Sequence, residues 1–578
     1  MKRCPQCNRV ETDGTLGFCR ADGTALVGDS GRVSTEDGTV KFTSAPVSSE
    51  IETSVLPHRS TPPEIDRLTA PTTLLPAQQP PGATKERGKP KRRKALVAIA
   101  SLIAVALIAG VYLYWPRGKN AAAPIESIAV MPFVNESGNA DLDYLSDGMT
   151  ETLISSLSQL QNLNVRPRSS VFRYKGKETN PHTIGNELNV QAILNGRVTQ
   201  RGQDLSLFVE LIDVALDRVV WSQQYNRKQN DLVTLQTDMA RDVSSRLTSK
   251  LSGADEAKVT KTYTTNADAY QLYLKGKYYQ SKYNEDSYRR AIDHYQQAIN
   301  IDPNYALAYL GIAEVYNNAS DFYLAPTVAM PQAKAAVLRA IELDNTLAQA
   351  HHELGILIFW YDWDWAAAER EMKRAIELDP TYTLYGLYLS AMGRREESIR
   401  AQEMTNRRSP LDLQFGMDLS GIYLAAGKVD ESIEQSRKTI ELDPNYWGGY
   451  QELGLALLRN KQFPEAIAAM EKSRSLDNNP SVSGYLGFAY AAADKKAEAQ
   501  RVLDEMKELS KKQYVPAYSI AIIYAGLNDK DQAFEWLNKA YADRSFYIAL
   551  LNFESTLDNL RPDTRFKELL RRANLPGS

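Results

Sequence analysis

Small residues recur through the carboxy-terminal half of the chain at an interval of about 34 residues. The first series keeps spacings of 34, 34, 33 and 34 residues and consists of Gly386, Ser420, Gly454, Gly487 and Ala521. A second series begins at Ser398, and each of its members lies twelve residues after a member of the first. Two antiparallel helices can approach closely only where their side chains are small. The pattern therefore predicts a row of helical hairpins.

A 34-residue period with small residues at these offsets is typical of tetratricopeptide repeats. Prolines follow several segments that we interpret as second helices; they are Pro303, Pro380, Pro410 and Pro444. Three less regular units, marked by Gly276, Gly311 and Gly355, bring the expected number to about eight. The sequence thus predicts an all-α, right-handed solenoid over residues 266–548 with a concave groove. Residues 549–578 would form a C-terminal cap.

The groove of such a solenoid is the expected binding site. Its lining positions lie on the first helix of each unit, and threading the repeat over this chain predicts five partner-facing residues: Tyr273, Lys277, Gln451, Arg459 and Tyr518. A long, shallow groove suits an extended partner better than a small molecule. We therefore expect a protein or peptide ligand, with no small-molecule substrate and no nucleic acid.

An aromatic cluster, FWYDWDW, lies in the third unit. It contains Trp360, Tyr361, Trp363 and Trp365. We interpret these side chains as core packing between the two helices of that unit, because aromatic residues dominate the energetics of cores.

Residues 124–252 have a different pattern, in which strands and helices alternate. An apolar run at 125–135 predicts a buried strand, and residues 143–160 predict an amphipathic helix. Three segments between 191 and 225 alternate apolar and polar residues as strands do, and a helix at 232–251 follows them. Together these elements predict one small α/β domain.

The segments IAVMPF, DYLSDGMTETL, ILNGRV and VVWSQQY of this region resemble the TolB amino-terminal-like domain, which is related to FlgO-type domains. Such domains often precede tetratricopeptide arrays in bacterial membrane proteins, and the resemblance implies an accessory domain without known catalysis. In relatives the cytoplasmic head is frequently a protein kinase, an adenylate cyclase or a winged-helix domain. Residues 1–94 contain no glycine-rich phosphate loop, no His-Arg-Asp and no Asp-Phe-Gly sequence. The segment LRPDTRFKELLRRANLP also resembles the usual end of this family.

Residues 95–115 form a run of 21 residues without a charge. At a rise of about 1.5 Å per residue the run would span roughly 30 Å, so it predicts one transmembrane helix. Basic residues are concentrated just before it: Lys85, Arg87, Lys89, Lys91, Arg92, Arg93 and Lys94. The positive-inside rule then places residues 1–94 in the cytoplasm. We expect a single-pass protein of the inner (cytoplasmic) membrane, with the α/β domain and the repeats in the periplasm.

Cys4 and Cys7, followed by Cys19 and Asp22, have the outline of a zinc ribbon within residues 1–28. They resemble the short zinc-ribbon heads of many bacterial membrane proteins, in which two turns present four ligands to a tetrahedral metal. Asp22 stands where a cysteine is usual, and a carboxylate there would lower the zinc affinity. One structural zinc is expected, and a degenerate ribbon with free thiols is the alternative. Pro, Ser and Thr dominate residues 29–94 and predict a disordered linker.

The composition argues against some classes of function. The 68 basic and 71 acidic residues nearly balance, which argues against a general polyanion binder. Only five histidines occur, and no serine elbow or dinucleotide fingerprint is present. We therefore expect that the chain is not an enzyme but a membrane-anchored scaffold that binds a protein or peptide in its solenoid. The alternative is a transmembrane signalling receptor that couples occupancy of the repeats to the zinc-ribbon head.

Overall fold

The computed structural model describes residues 125–577 apart from 161, 178–179, 248–251 and 380–384, and three short strands near the amino terminus. These strands are β1 (Lys2–Arg3), β2 (Val10–Glu11) and β3 (Val27–Gly28), and β1 pairs antiparallel with both of the others. The chain divides into two compact units, Met1–Ala123 and Pro124–Ser578. All elements described below belong to the second unit.

Several sequence-based predictions lie outside the described residues. They concern the zinc ligands Cys4, Cys7, Cys19 and Asp22, the linker at 29–94 and the apolar segment at 95–115.

A mixed sheet begins the second unit. Its strands are β4 (Ser127–Val130), β5 (Val134–Asn135), β6 (Asn164–Val165), β7 (Ala192–Arg201), β8 (Asp204–Asp213) and β9 (Arg218–Lys228). The order is β6-β4-β7-β8-β9, with β5 also pairing with β7. The pairs β4–β6, β4–β7 and β5–β7 are parallel, whereas β7, β8 and β9 form an antiparallel meander. In β8, Leu205, Leu207, Val209 and Leu211 are buried at the period of two expected for one packed face.

Five helices accompany this sheet. They are α1 (Asp143–Ser158), α2 (Arg168–Val171), α3 (Pro181–Leu188), α4 (Leu232–Leu247) and α5 (Gly253–Val259). Met149, Leu153 and Leu157 of α1 are fully buried, so that their four-residue spacing directs one face of the helix into the core.

Eight helical hairpins follow in the described residues. They are α6 (Ala267–Gln280) with α7 (Glu285–Ile301), α8 (Ala306–Ala319) with α9 (Pro326–Leu343), α10 (Ala348–Leu357) with α11 (Trp365–Leu378), α12 (Tyr385–Ala391) with α13 (Arg395–Arg408), α14 (Leu413–Ala425) with α15 (Val429–Leu442), α16 (Trp447–Arg459) with α17 (Phe463–Leu476), α18 (Pro480–Ala492) with α19 (Lys496–Leu509), and α20 (Ala517–Gly526) with α21 (Lys530–Ala542). A π-helical turn, Ile358–Asp362, extends α10. The predicted helical, tetratricopeptide-like solenoid and small mixed-sheet domain are confirmed.

The small residues of the repeat lie where helices approach each other. A Cβ atom added at Gly276 would lie 2.4 Å from the Tyr295 ring, and one added at Gly311 would lie 2.5 Å from the same ring. Tyr295 of α7 therefore packs between the first helices of two successive hairpins. This close packing explains why the small-residue series marks the repeats.

The chain continues beyond α21 through two 3-10 turns, Phe546–Leu550 and Ser555–Leu557, to α22 (Thr564–Arg572). The helix α22 packs against α21. The guanidinium of Arg572 lies 3.9 Å from the ring centroid of Tyr541. The part of the chain between α21 and α22 follows the inner side of the solenoid instead.

The predicted membrane localisation requires a correction. A bilayer core is crossed by about 20 consecutive apolar residues. Among the described residues, the longest helix is α9 with 18 residues, and it carries Lys334, Arg339 and Glu342. No helix in this part of the chain combines the length and the apolar character needed to cross a membrane. This finding contradicts the single-pass localisation, which was based on residues 95–115.

Candidate functional site

The first helices of the hairpins pack side by side and form the inner surface of the solenoid. Residues 544–561, the tail, lie along this surface. The tail contacts seven successive hairpins, from the second to the eighth. The inner surface is thus covered over most of its length by the chain's own peptide.

The first hairpin is covered in a different way, by α1 of the α/β domain. Tyr270 on α6 donates a hydrogen bond from its hydroxyl to Thr152 on α1 at 3.3 Å. The Nζ of Lys277 lies 2.9 Å from Oε1 of Glu151 on α1 and 3.6 Å from Oε2 of Glu314 on α8. These contacts tie the α/β domain to the first two hairpins.

Asp321, directly after α8, holds the start of the tail. Its Oδ2 accepts hydrogen bonds from Ser545 Oγ at 2.5 Å and from the backbone N–H of Phe546 at 2.8 Å. Its Oδ1 accepts from the hydroxyl of Tyr514, at 2.6 Å. Asp321 is fully buried, and burial raises the pKa of its carboxyl, while these three donors oppose that rise.

Aromatic rings anchor the next part of the tail. The ring centroid of Phe546 lies 5.3 Å from that of Trp360. The ring of Tyr547 stacks on Tyr518 of α20 with a centroid separation of 4.4 Å and an interplanar angle of 7°. Such pairs add to the stabilisation that comes from area burial alone.

Phe553 is the anchor in the middle of the tail. It packs against a small hydrophobic cluster that includes Leu387 of α12 and Ile422 of α14. The neighbouring Gly421 allows this approach, because a Cβ atom added there would lie 2.9 Å from the Phe553 ring. The contact therefore depends on a residue without a side chain at position 421.

Directional polar contacts continue from Glu554 to the end of the tail. The hydroxyl of Tyr485 on α18 donates to Oε1 of Glu554 at 3.0 Å, and Thr556 donates to Oε2 at 3.2 Å. Asp558 forms an ion pair with Arg459 at the end of α16. The inner surface therefore recognises a peptide through both aromatic pockets and charge.

Three polar side chains on α14 and α16 are buried; they are Asp418, Gln451 and Glu452. Glu452 and Asp418 are 8 % and 6 % exposed, and burial raises the pKa of Glu452 to about 8 and that of Asp418 to about 7. The carboxylate of Glu554 raises the pKa of Glu452 further. Oδ2 of Asp418 and Oε1 of Gln451 are buried without a hydrogen-bond donor. Asp418 and Gln451 are therefore incompletely paired.

The five residues predicted to face a partner do not converge on one site. Tyr273 and Lys277 lie under the α/β domain, and the Tyr273 ring packs 5.2 Å from that of Tyr305. Arg459 and Tyr518 contact the tail, through Asp558 and Tyr547 respectively. Gln451 and Tyr518 are buried, whereas the Arg459 side chain is 48 % exposed.

The aromatic cluster of the third hairpin also reaches the C-terminal region. Besides the contact of Trp360 with Phe546, Trp363 lies 5.0 Å from Tyr541, and Trp365 donates from Nε1 to the carbonyl of Asn574 at 2.7 Å. Packing within the third hairpin therefore accounts for only part of this cluster.

Sequence reasoning missed the tail as an occupant of the groove, together with its receptors Asp321 and Glu452. One available signal was the density of apolar residues in FYIALLNFE, residues 546–554, immediately after the last hairpin. Seven of these nine residues are apolar, which indicates a segment that is packed against other parts of the chain.

Asp147 and Glu151, four residues apart on α1, both form ion pairs. Oδ2 of Asp147 is 2.6 Å from Nζ of Lys175, and Oε2 of Glu151 is 3.1 Å from Nε of Arg168, in addition to the contact of Glu151 with Lys277. Within the described ranges, no group of three or more His, Cys, Asp and Glu side chains is arranged to hold a metal ion.

Residues 124–242 match a sequence family described as "HilA/YgeH-like transcriptional regulator, second domain". This range includes the mixed sheet and most of the helices that accompany it. The resemblance of the same region to the TolB amino-terminal-like domain stays a prediction.

One similar curated protein is "Putative adenylate cyclase 3" of Rhizobium meliloti (strain 1021). It is 29 % identical over 236 residues, which are 40 % of this chain and 40 % of the relative. The chain therefore spans less than half of that relative. The relative's name contradicts the expectation that the protein is not an enzyme, and an enzymatic activity has to be tested.

Two similar solved structures contain helical repeats. YrrB, described as "a TPR protein with an unusual peptide-binding site", is 17 % identical, and the match covers 32 % of this chain and 92 % of YrrB with a TM-score of 0.23. The MamA protein is 21 % identical, and the match covers 36 % of this chain and 92 % of MamA with a TM-score of 0.19.

Proposed function

We propose that this protein is an interaction scaffold whose inner surface binds an extended segment of a partner protein. The observation that carries the proposal is the tail itself. The inner surface holds a peptide through stacked rings, an apolar pocket and hydrogen bonds to carboxylates. A surface that can bind a peptide of the same chain has the donors and pockets needed to bind a peptide of another chain.

Arg459 is the residue of this surface best suited to a test. It lies at the end of α16, pairs with Asp558 of the tail and keeps about half of its side chain exposed. Charge reversal at this position should lower the affinity for any acidic or extended ligand that crosses the sixth hairpin. Arg437 is an exposed arginine on a second helix, α15, and provides the matched control.

The experiment is selection of a random peptide library on the full-length chain, using wild type and the Phe553→Ala variant, followed by fluorescence anisotropy. Selected peptides should lose about tenfold or more in affinity for Arg459→Glu and less than about twofold for Arg437→Glu. The proposal is wrong if neither chain enriches peptides, or if the enriched peptides bind both arginine variants equally well.

A second candidate function is adenylate cyclase activity, which the name of the curated relative favours. The test is formation of cyclic AMP from ATP and Mg²⁺ or Mn²⁺ by the full-length chain. Product that rises in proportion to protein concentration and disappears after heat denaturation would support this candidate. A rate equal to that of buffer alone would eliminate it.

The structural zinc of residues 1–28 remains a separate proposal. Cys4, Cys7, Cys19 and Asp22 supply the donor types that zinc accepts. Metal analysis of the purified chain should find about one zinc per molecule, and Cys7→Ser should lower that content. An unchanged zinc content in the variant would contradict the assignment.

A further inference from the structure

The mixed sheet has two edge strands of very different length. One is β6 with two residues, and the other is β9 with eleven. Among the described residues, β8 is the strand that pairs with β9, so the outer edge of β9 has no neighbouring strand there. The unpaired N–H and C=O groups of an edge can pair with another chain, and proteins usually protect an edge by keeping the strand short or by placing prolines or charges on it. The edge at β6 is short, whereas that at β9 is long.

The middle of β9 carries none of these protections. The strand contains no proline, and its charged residues lie at its ends: Arg218, Arg227 and Lys228. A register shift in the pairing with β8 affects only its first residues, and the ladder is regular from Trp221 to Lys228. Residues 221–226 therefore offer an uncharged, regular edge to a further strand.

Apolar side chains are exposed where β9 begins. Leu216 in the turn before the strand is 56 % exposed, and Val219 and Val220 are 50 % and 43 % exposed. Farther along, Trp221 is half-buried and Tyr225 is buried. Neighbouring exposed apolar residues indicate a contact surface. At this edge, both the backbone and the side chains are therefore available to another molecule.

The side chains of β9 complement each other when two copies of the strand run antiparallel. In a pair centred on Gln223, Trp221 of one copy lies opposite Tyr225 of the other. The two rings lie on the same face of the joined sheet, because Trp221 pairs with Leu211 of β8 and Tyr225 pairs with Leu207, and both leucines are buried on one face. The two-fold symmetry forms this aromatic pair twice, and such cross-strand pairs stabilise sheets.

The charges at the ends of β9 favour the same orientation. Antiparallel pairing brings Asp217, just before the strand, near Arg227 and Lys228 of the other copy. Parallel pairing would instead bring the two basic ends together, and like charges opposite each other destabilise a sheet. Lys228 and Arg227 already contact carboxylates of their own chain, Asp204 and Asp238, so the charges affect orientation more than affinity.

We propose that two copies of this chain associate through β9, in an antiparallel pair centred on Gln223 that joins their sheets. One strand edge buries less area than a standard interface, so the dissociation constant should lie at about 1–100 µM. The dimer would carry two solenoids, and a partner with two binding segments would gain avidity. The pairing surface belongs to the α/β domain and not to the hairpins, so the proposal goes beyond the scaffold function and does not depend on it.

The test is sedimentation equilibrium of the full-length chain as wild type, Gln223→Lys and Gln223→Glu. Gln223 is exposed, so that neither substitution disturbs the core. Each variant alone should dimerise at least about tenfold more weakly than wild type, because identical charges then lie opposite each other. An equimolar mixture of the two variants should dimerise at least as tightly as wild type, because the charges are then opposite.

The control is Gln332→Lys, which adds the same charge at an exposed position of α9 and should dimerise like wild type. A wild-type chain that stays monomeric up to about 200 µM overturns the proposal. Association that is unchanged in both Gln223 variants, or a mixture that associates no more tightly than the separate variants, overturns the assignment to β9.

Disulfide cross-linking tests the register. In the proposed pair, Gln223 faces its own copy with Cα atoms about 4.5–5.5 Å apart, within the range of a disulfide. Gln224 faces Ser222 of the other copy, so two residues at position 224 lie too far apart. With oxidised glutathione, Gln223→Cys should therefore cross-link at least about tenfold faster than Gln224→Cys. Both variants are made in a chain in which serine replaces Cys4, Cys7 and Cys19. Equal rates for the two variants would show that the strands do not pair about Gln223.

Discussion

Buried carboxyl groups on the inner surface titrate far from their usual range. Burial raises the pKa of Glu452 and of Glu353 to about 8, and that of Asp418 to about 7. The cause is the loss of hydration, which disfavours the charged form, and neighbouring carboxylates add to it. Each of these groups therefore makes the stability of the fold depend on pH.

Glu452 gives a prediction with a defined sign. Between the usual pKa of a glutamate and about 8, the folded chain holds a proton on Glu452 that the unfolded chain has released. Folding therefore loses stability as the pH rises through this window. Glu452→Gln stays neutral, so at pH 9 it should be more stable than wild type by several kcal/mol, at about 1.4 kcal/mol for each unit by which the pKa is raised. At pH 5 the difference should be close to zero.

The measurement is chemical unfolding of wild type and variant at both pH values. Exposed Glu441 on α15 provides the control, and Glu441→Gln should leave the stability unchanged at either pH. A Glu452→Gln variant that is equally stabilised at pH 5 and pH 9 would show that packing, not ionisation, is responsible.

Lys277 leads to a second prediction at the scale of one residue. Burial lowers the pKa of Lys277, but Glu151 and Glu314 outweigh that effect and raise it well above its usual value. The ammonium thus neutralises two half-buried carboxylates at the contact between α1 and the repeats. Lys277→Met should lower the free energy of unfolding by about 2 kcal/mol, because both carboxylates lose this partner.

The matched control is Lys438→Met. Lys438 lies 2.6 Å from Glu434, but both side chains are largely exposed, so the loss should be below about 0.5 kcal/mol. Denaturant midpoints of the two variants give the comparison directly. Similar losses for the two lysines would mean that the contact at α1 contributes no more than a surface ion pair.

At the scale of the hairpin, the packing of Tyr295 against two glycines gives a third prediction. Replacing a helical glycine by alanine usually stabilises a helix by about 0.5–1 kcal/mol. At Gly276 the new Cβ atom would meet the Tyr295 ring at 2.4 Å, so the substitution should instead destabilise by about 1–3 kcal/mol. Tyr295→Leu should recover part of the loss in the double variant.

Gly253 provides the comparison for this experiment. It begins α5, is exposed, and a Cβ atom added there meets nothing within 4 Å. Gly253→Ala should therefore be neutral or slightly stabilising in thermal unfolding. If Gly276→Ala behaves in the same way, the ring of Tyr295 moves aside at no cost and the interpretation of the repeat packing is wrong.

The hairpins could be predicted from the sequence because their determinants are local. A glycine such as Gly311 meets a ring of the preceding hairpin, and the spacing between these positions is set by the helix pair itself. The second hairpin is less regular, because its second helix, α9, begins with one proline and contains another. Pro326 occupies the first turn, which tolerates proline, and the helix continues through Pro331.

The path of the tail could not be predicted in this way. Phe553 contacts Leu387 and Ile422, more than 130 residues earlier in the chain. That contact depends on how far each hairpin rotates relative to the preceding one, and small rotations accumulate over the array. The sequence therefore indicated that a groove exists but not that residues 544–561 occupy it.

At the scale of the whole second unit, the tail and the α/β domain both connect distant parts of the array. Arg166, before α2, donates from Nη1 to the carbonyl of Arg408 at the end of the fourth hairpin, at 2.9 Å. The carboxylate of Asp321 accepts a hydrogen bond from Tyr514, which lies 193 residues later, and another from Ser545 at the start of the tail. A repeat array stabilised only by neighbouring units would lack such contacts. The second unit is therefore held together by contacts between distant hairpins as well as between neighbouring ones.

Asp321 allows this view to be tested. In Asp321→Asn, an amide nitrogen or oxygen replaces each carboxylate oxygen, so the side chain can no longer accept from Ser545, Phe546 and Tyr514 together. The loss of a buried charge-assisted hydrogen bond should speed hydrogen exchange of the amides in Phe546–Leu550 by about tenfold or more. The amides of α21 should remain as protected as in wild type, because the hairpin does not depend on Asp321.

The control is Asp430→Asn, at an exposed position of α15, which should change the exchange of neither segment. Faster exchange across α20 and α21 as well would instead mean that the tail and the last hairpin open as one unit, and that the inner surface cannot be uncovered without unfolding part of the solenoid.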